Sequence, residues 1–292
     1  MTQTERDPLQ AFLHDGDRAI WSTAALVLAL RGAASHEQQA AAYAVVEASG
    51  LNEGASIADV GGIVAQAAAP IHQVASLLRG EGQMWAAQSD EALLAQGRAS
   101  AQGAAAFAEF GLPMLSGLRE SFASGARMLD VGTGVGALAV AYAEVFPRLS
   151  VVGIDVMPRV LGLGERNVAA SSVSDRVVLR EQDVSFLNEP DTYAFAWVPA
   201  PFIPPSALAL GLPRVADALQ PGGWLMLGHG KYGGSSLDDA VGRFKTIAYG
   251  GTALNDEEAE ELLRSAGMSE VMTVPTPQGS PALSFARKAP NS

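Results

Sequence analysis

The pattern of hydrophobic and polar residues changes about 125 residues into this chain. In the first part, apolar residues recur at helical spacing and strand-like runs are almost absent. From Arg127 onward, short and nearly continuous apolar runs alternate with helical segments. The first part therefore predicts an all-helical region, and the second part predicts a sheet covered by helices.

Glycine and proline divide the first part into separate predicted helices. Gly50, Gly54, Pro70 and Gly80 lie between apolar-periodic stretches, where such residues end helices. The predicted helices are Ala19–Leu30, His36–Ala48, Ile57–Ala68, Ile71–Leu78, Ser89–Glu109 and Pro113–Ala123. We predict a helical domain over residues 1–95.

The second part predicts a seven-stranded, mostly parallel sheet of the Rossmann-like α/β class over residues 96–292. Five buried strands alternate with helices, which is typical of parallel sheets. These strands are Met128–Val131, Val151–Ile154, Arg176–Leu179, Phe195–Val198 and Trp224–Leu227. The helices between and after them are Ala137–Glu144, Pro158–Ala170, Ser206–Ala218 and Asp238–Ile247. Only a short turn joins Glu270–Val274 to Ala282–Ala286, so this pair is predicted to end the sheet with an antiparallel strand.

Charge and cysteine content narrow the function classes. The 292 residues carry a formal net charge of −12, and lysine and arginine are scattered singly, which disfavours nucleic-acid partners. The chain has no cysteine, so disulfides, thiolate metal sites and cysteine nucleophiles are excluded. No cluster of histidines and carboxylates has metal-ligand spacing, so we predict no metal site.

The sequence predicts neither a membrane span nor a secretion signal. The apolar stretch Ala19–Leu30 lies between Arg18 and Arg31 and is shorter than the roughly 20 residues that a bilayer requires. The first eighteen residues include Glu5 and Asp7, whose charge is wrong for the start of a signal peptide. We therefore expect a cytoplasmic protein without a membrane partner.

A glycine-rich turn is the strongest chemical signal in the chain. Asp130-Val131-Gly132-Thr133-Gly134-Val135-Gly136 follows the first strand and precedes a helix, where glycines let backbone N–H groups approach a ligand. Asp155 and Asp183 end the second and third strands, and an acid at the first of these places commonly holds a ribose diol. Taken alone, the turn also fits a dinucleotide site, and either aspartate also fits a helix N-cap.

Five motifs in register give the chain from about Gln96 onward its resemblance to a class I S-adenosylmethionine-dependent methyltransferase. They are Asp130–Gly136, Asp155, Gln182–Val184, Trp197–Phe202 and Leu219–Gly223. The resemblance implies that S-adenosylmethionine is the cofactor. It places Asp130 near the cofactor ammonium and Asp155 on the ribose hydroxyls. The other implied cofactor contacts are Gly132, Thr133, Gly134 and Gly136 at the methionine part, Val156, Asp183 and Val184 at the adenine, and Pro199 beside the methyl group.

The fourth motif bears on the methyl acceptor. Family members that methylate exocyclic amines of bases or glutamine side chains often carry a polar residue before two prolines and an aromatic residue. Here the sequence is Val198-Pro199-Ala200-Pro201-Phe202, with no polar side chain to hold an amine. We expect a small, fairly apolar acceptor from specialised metabolism, methylated on oxygen or carbon. The prolines also fit a simple rigid turn.

Candidate acceptor-side residues are fewer and have alternatives. His229 lies in a glycine-rich segment predicted to be a flexible loop after the fifth strand, where it is a candidate general base or a surface histidine. Phe202 and Tyr232 are candidate substrate contacts. Trp85 is a third candidate, and it also fits a packing residue of the helical region.

The resemblance implies that the N-terminal helices form a lid and a homodimer interface. The pair Ile57–Ala68 and Ile71–Leu78 is similar to a helix-turn-helix, but it lacks a basic recognition helix, so DNA binding is not expected. Two other functions stay open. One is a nicotinamide-dependent oxidoreductase that uses the same glycine turn. The other is a non-catalytic regulator or scaffold that retains the cofactor fold.

Overall fold

A computed structural model describes residues 7–32, 35–50, 60–80, 85, 88–230, 236–276 and 281–290. The chain divides into two compact units, residues 1–79 and 80–292. This division lies before the domain boundary near residue 95 that the sequence predicts. The reason is local: the helix that begins at Asp90 packs closely on the glycine turn of the second unit, through Gly97 and Val135.

The first unit is helical, and three helices are described in it. They are α1 (Pro8–Arg31), α2 (His36–Ala48) and α3 (Val60–Leu78). The predicted start of α1 at Ala19 is too late, because Asp7 caps the helix by accepting a hydrogen bond from the Leu9 N–H. No helix in the described part of the chain is both long and apolar enough to cross a membrane.

The predicted break at Pro70 is wrong, since α3 continues through this residue. Proline fits helical φ and removes only one N–H, so tertiary packing can hold a helix across it. Here α3 packs against α1 through Val64 and Ala68, which contact Val27. The two helices that resembled a helix-turn-helix are therefore one helix over residues 60–78, and the predicted start at residues 57–59 lies outside the described residues.

The second unit contains a seven-stranded sheet in the order β3-β2-β1-β4-β5-β7-β6, with β7 antiparallel to both of its neighbours. The strands are β1 (Arg127–Val131), β2 (Ser150–Asp155), β3 (Val177–Glu181), β4 (Tyr193–Pro199), β5 (Leu219–His229), β6 (Ser269–Val274) and β7 (Ala282–Arg287). The helices are α4 (Asp90–Ala106), α5 (Leu118–Ala123), α6 (Ala137–Val145), α7 (Pro158–Ala169), α8 (Pro205–Ala218), α9 (Leu237–Ala248) and α10 (Asp256–Ser265). The predicted fold class is confirmed.

Both faces of the sheet are buried, as the near-continuous apolar strands predicted. Leu129 of β1 and Leu225 of β5 belong to one core cluster, which includes residues of α8 and α10. Met128 and Trp224, their neighbours in sequence, belong to the cluster on the other face, which includes residues of α6. Alternate residues of each central strand therefore pack against different layers, and the carboxyl ends of the parallel strands meet at one edge.

Two elements differ in extent from their predictions. α4 ends at Ala106 and passes into a π-helical turn over Phe107–Gly111, so the predicted helix from Pro113 is reduced to α5. β5 is longer than the predicted strand Trp224–Leu227, because it begins at Leu219, within the predicted fifth motif, and includes His229. An irregularity between β4 and β5, with Gly222 at φ +78°, lets this longer strand pair with β4.

The contact between α4 and the glycine turn predicts opposite effects for two glycine substitutions. A Cβ added at Gly97 would overlap Cγ2 of Val135, whereas one at Gly103 would lie 3.6 Å from Leu138. We expect Gly103→Ala to raise the free energy of unfolding by up to about 1 kcal/mol through helix propensity. Gly97→Ala is expected to lower it by about 1–3 kcal/mol, because the overlap forces displacement. Chemical denaturation measures both, and equal effects would contradict the close approach.

Candidate functional site

The glycine turn after β1 has a backbone conformation that requires glycine. Gly132, Gly134 and Gly136 have φ angles of +66°, +56° and +67°, all in the left-handed region. Gly136 precedes α6, and its N–H donates to the carbonyl of Thr133. The turn thus directs backbone groups toward the carboxyl edge of the sheet, at the N-terminus of a helix where anionic and polar ligand atoms bind.

Close approaches join this turn to β2 and to β4. A Cβ added at Gly153 of β2 would lie 2.5 Å from Oγ1 of Thr133, so only glycine leaves room for the threonine. A Cβ added at Gly132 would lie 3.8 Å from Pro199, the last residue of β4. The structure therefore brings Pro199 beside the turn, and its place beside the cofactor methyl group stays a prediction. The role of Gly153 was missed, since a glycine within an apolar run gives no separate signal.

Asp155 connects the end of β2 to the glycine turn. Its Oδ2 accepts a hydrogen bond of 2.8 Å from the Gly134 N–H, and its Oδ1 accepts one of 3.0 Å from the Met157 N–H. The side chain is buried, and burial raises its pKa although these backbone donors oppose the shift. Each carboxylate oxygen accepts more than one hydrogen bond, so Asp155 retains acceptor capacity for ligand hydroxyls.

Asp130 is the second buried acid at this edge. Its Oδ2 accepts a hydrogen bond of 2.6 Å from Oγ1 of Thr133. Burial raises the pKa of Asp130 to about 7, the Thr133 hydroxyl opposes this, and the negative charge of Asp155 adds to it. A nearby cation would stabilise the ionised form of this buried carboxyl group, because opposite charges attract. The Asp130 site therefore fits a ligand that carries positive charge.

The residues predicted for the adenine lie beyond β2 and β3. Val156 is 57% exposed at the sheet edge, so its apolar side chain is accessible. Asp183 accepts hydrogen bonds from the N–H and hydroxyl of Ser185, which is the N-cap arrangement that the sequence left open. Val184 is buried against Gly211 of α8. Phe186, 79% exposed in the same turn, is an additional candidate that sequence reasoning missed.

The ring of Trp85 contacts two other aromatic rings of the second unit. The ring centroid of Trp85 lies 5.1 Å from that of Phe202 and 5.0 Å from that of Tyr249. The Trp85 Nε1 is buried and has no hydrogen-bond partner among the described residues. Tyr249 was missed because it follows a helix far along the chain from both partners. Tyr232, a predicted substrate contact, lies outside the described residues.

The segment after β4 is held by the loop that follows α9. Thr252 donates its N–H to the carbonyl of Ala200 at 2.9 Å and its hydroxyl to the carbonyl of Ile203 at 2.7 Å. Gly251 lies so close to Pro201 that an added Cβ would overlap the proline carbonyl. This loop follows Tyr249, whose ring contacts Trp85, and it fixes the backbone of the predicted fourth motif at Ala200 and Pro201.

His229 is not in a flexible loop, so that part of its prediction is wrong. It is the last residue of β5 and is fully buried. Its Nδ1 lies 2.9 Å from the carbonyl oxygen of Gly230, and its Nε2 lies 2.8 Å from Oγ of Ser284. Burial lowers the pKa of His229, while the Gly230 carbonyl and the charge of Asp256 oppose the shift. Both ring nitrogens already have hydrogen-bond partners, so neither is accessible to a methyl acceptor.

Comparison with known families identifies the central part of the second unit. Residues 128–223 match the family described as "Methyltransferase domain". The match contains the glycine turn, both buried aspartates and the end of β4. These residues are a class I S-adenosylmethionine-dependent methyltransferase domain. S-adenosylmethionine is its cofactor, and the site fits this cation through the carboxyl groups of Asp130 and Asp155 and the open glycine turn.

Curated relatives of this domain match only part of the chain. A release factor glutamine methyltransferase of Rhodopirellula baltica is 35% identical over 102 residues, which cover 35% of this chain and 34% of the relative. A tRNA1(Val) (adenine(37)-N6)-methyltransferase of Porphyromonas gingivalis is 41% identical over 56 residues, 19% of this chain and 22% of the relative. The chain thus spans about a third or less of these relatives, and the matches establish no common acceptor.

A solved methyltransferase shares the fold over most of the chain. Human N-acetylserotonin methyltransferase in complex with S-adenosylmethionine is 14% identical, with a TM-score of 0.64, over 99% of this chain and 100% of the human chain. At this identity the likeness shows the fold alone. It includes the helical region that precedes the methyltransferase domain.

The raised pKa of Asp130 predicts a pH-dependent stability. Between pH 3.8, which is its ordinary pKa, and about pH 7, Asp130 keeps a proton in the folded state that it releases in the unfolded chain. This contribution to the free energy of unfolding is complete below pH 4 and is lost as the pH rises to 7. We expect Asp130→Asn, which stays neutral, to be more stable than the wild type at pH 8 by about 1–3 kcal/mol.

The same comparison at pH 4.5 supplies the control, since wild-type Asp130 is then protonated and the two proteins should differ little. Urea denaturation without cofactor gives both values. Equal stability differences at the two pH values would show that Asp130 ionises normally in the folded protein.

Proposed function

We propose that this chain transfers the methyl group of S-adenosylmethionine to an oxygen or carbon atom of a small, fairly apolar acceptor. The observation that carries the proposal is the meeting of a polar cluster and an apolar segment at one sheet edge. Asp130 and Asp155 with the glycine turn form a buried polar cluster that suits a cationic cofactor. Pro199, next to Gly132, begins an apolar segment that continues to the exposed side chain of Phe202.

The roles of the residues follow from this division. Bound S-adenosylmethionine supplies an activated methyl group that a nucleophile displaces from sulfur in line. Asp155 orients the cofactor through its ribose hydroxyls, and Asp130 offsets the positive charge. The segment Pro199–Ile203 carries no titratable side chain. It therefore aligns the acceptor and excludes water rather than removing a proton.

Apolar contact on the acceptor side supports the proposed acceptor class. Phe202 is 40% exposed, and the ring of Trp85, which also contacts Tyr249, stands beside it. Edge-on and tilted aromatic contacts of this kind bind flat, apolar groups. The Trp85 N–H, which has no partner among the described residues, would supply one hydrogen-bond donor to an acceptor that carries a polar atom.

A second candidate is methylation of an amine or amide in RNA or protein, which the names of the curated relatives suggest. The sequence similarity favours it only within the cofactor-binding part. At the end of β4, Val198 and Ala200 offer no side-chain hydrogen bond to an amine. The net charge of −12 also opposes binding to RNA. The small-molecule acceptor is therefore the better-supported proposal.

Cofactor binding is tested by Asp155→Ala. The substitution removes the ribose acceptor and leaves the N–H groups of Gly134 and Met157 without their partner. We expect the Kd for S-adenosylmethionine to rise by more than about tenfold in titration calorimetry. The wild type should not bind NAD(P). That result would exclude the alternative of a nicotinamide-dependent oxidoreductase.

Asp175→Ala is the matched control for this test. Asp175 is an exposed carboxylate just before β3, at the opposite edge of the same sheet. Its removal changes the net charge equally and should leave the Kd unchanged. If both substitutions weaken binding by the same factor, or neither does, the assignment of Asp155 to the ribose is wrong.

The acceptor class is tested by measuring S-adenosylhomocysteine release with two kinds of substrate. We expect release with members of a panel of small phenols and other hydroxylated compounds, and none above background with unmodified tRNA. Phe202→Ala should raise KM for any accepted compound by about tenfold, because a large apolar contact is lost, without changing the Kd for S-adenosylmethionine. Release with tRNA alone would support the second candidate.

A further inference from the structure

A chain of side-chain contacts runs from the buried end of β5 to α10. His229 Nε2 lies 2.8 Å from Ser284 Oγ on β7, and Ser284 Oγ lies 2.7 Å from Thr273 Oγ1 on β6. Thr273 Oγ1 lies 3.0 Å from Glu260 Oε1 on α10. At the other side of the imidazole, Nδ1 contacts the carbonyl of Gly230 at 2.9 Å. All four distances are those of hydrogen bonds.

If all four contacts are hydrogen bonds, they need four protons, and each proton must come from one of the five groups that make these contacts. A carbonyl oxygen and an ionised carboxylate only accept, so Gly230 and Glu260 provide none. The hydroxyls of Ser284 and Thr273 provide one each, and a neutral imidazole provides one. With neutral His229 the chain is therefore one proton short. With an imidazolium, every contact is a hydrogen bond that points from His229 toward Glu260 or toward Gly230.

Neutral His229 must leave one contact without a proton. If the proton is on Nδ1, Ser284 donates to Nε2 and its contact with Thr273 lacks a donor. If the proton is on Nε2, the chain to Glu260 is complete, but the Nδ1 lone pair faces the Gly230 carbonyl. Such a contact between two acceptors is unfavourable in a buried site. Protonation of His229 removes this defect in either case.

Burial and the neighbouring charges shift the pKa of His229 in opposite directions. Burial in the core lowers the pKa of His229. Asp256, whose Oδ1 is 3.8 Å from Nδ1, and Glu260 oppose this shift. Hydrogen bonds from Arg264 and Thr273 lower the pKa of Glu260 and keep it ionised. No other titratable group of the described residues is among the causes of the His229 shift.

We propose that His229, Ser284, Thr273 and Glu260 form one proton-sharing chain, in which protonation of His229 completes the hydrogen bonds that tie β5, β7, β6 and α10 together. His229 is then a positioning residue. Gly228, the residue before it, pairs with Pro199 in the β4–β5 register, so the chain holds the strand end beside the acceptor surface. This positioning role rests on the proposed function, whereas the proton-sharing chain itself does not.

The experiment follows the four histidine side chains of the intact protein by NMR as the pH is varied, with the His229 signals assigned from their loss in His229→Gln. Two variants act on the chain differently. Glu260→Gln removes the charge but supplies an N–H to Thr273, so a neutral imidazole then completes the chain. Thr273→Val keeps both charges and breaks the path, and valine suits a strand.

We expect both variants to lower the titration midpoint of His229 by about one pH unit. Glu257→Gln, which removes an exposed charge from the same helix, should leave it unchanged. A lower midpoint in Glu260→Gln with an unchanged one in Thr273→Val would overturn the chain, because the coupling would then act through space. Unchanged midpoints in both variants would overturn it as well.

Ser284→Ala breaks the path at a second place and replaces Thr273→Val if that variant does not fold. Its midpoint should fall similarly, since the imidazolium loses its acceptor at Nε2. The Kd for S-adenosylmethionine is measured in the same samples. An unchanged Kd separates failure of the chain from failure of the proposed function, which depends on Asp155.

Discussion

The hydrogen bond from the Gly134 N–H to the Asp155 carboxylate is the contact on which the carboxyl edge of the sheet depends at the glycine turn. It joins the turn after β1 to the end of β2, and the same carboxylate accepts from Met157 at the start of α7. The turn must be left-handed to aim this N–H, so three glycines are required. One buried carboxylate therefore organises two strand ends and a helix before any ligand is bound.

Burial of ionisable groups gives this edge its chemistry and its energetic cost. Three ionisable groups are buried where parallel strands end: Asp130, Asp155 and His229. Burial favours the neutral form of each, so it raises the pKa of both aspartates and lowers the pKa of the histidine. Asp155 is compensated by backbone N–H groups. Among the described residues, the hydrogen bond that Asp130 accepts comes from the Thr133 hydroxyl alone, so a nearby cation would stabilise its ionised form. A bound cation near Asp130 would therefore offset the cost of burying this carboxyl group.

Much of the fold could be predicted because the strands are apolar on both faces and the glycine turn has a distinctive spacing. The candidate site could be predicted as far as the motifs reach, because Asp130, Asp155 and Pro199 all lie around the glycine turn; their roles toward the cofactor stay predictions. Gly153, Gly251 and Tyr249 could not be found, because their importance comes from contacts with residues distant in the chain. Pro70 misled for a related reason: packing against α1 maintained a helix that the local sequence appeared to end.

The sequence by itself determined the class of sheet, the reversed strand and the cofactor motifs, since each depends on periodicity or on neighbours in the chain. Only the tertiary structure decided what His229 does. The sequence pattern suggested a loop histidine open to an acceptor, whereas pairing with β7 continues β5 to this residue and buries it beside Ser284. Strand length and burial depend on partners far away in sequence, and local composition carries no information about them.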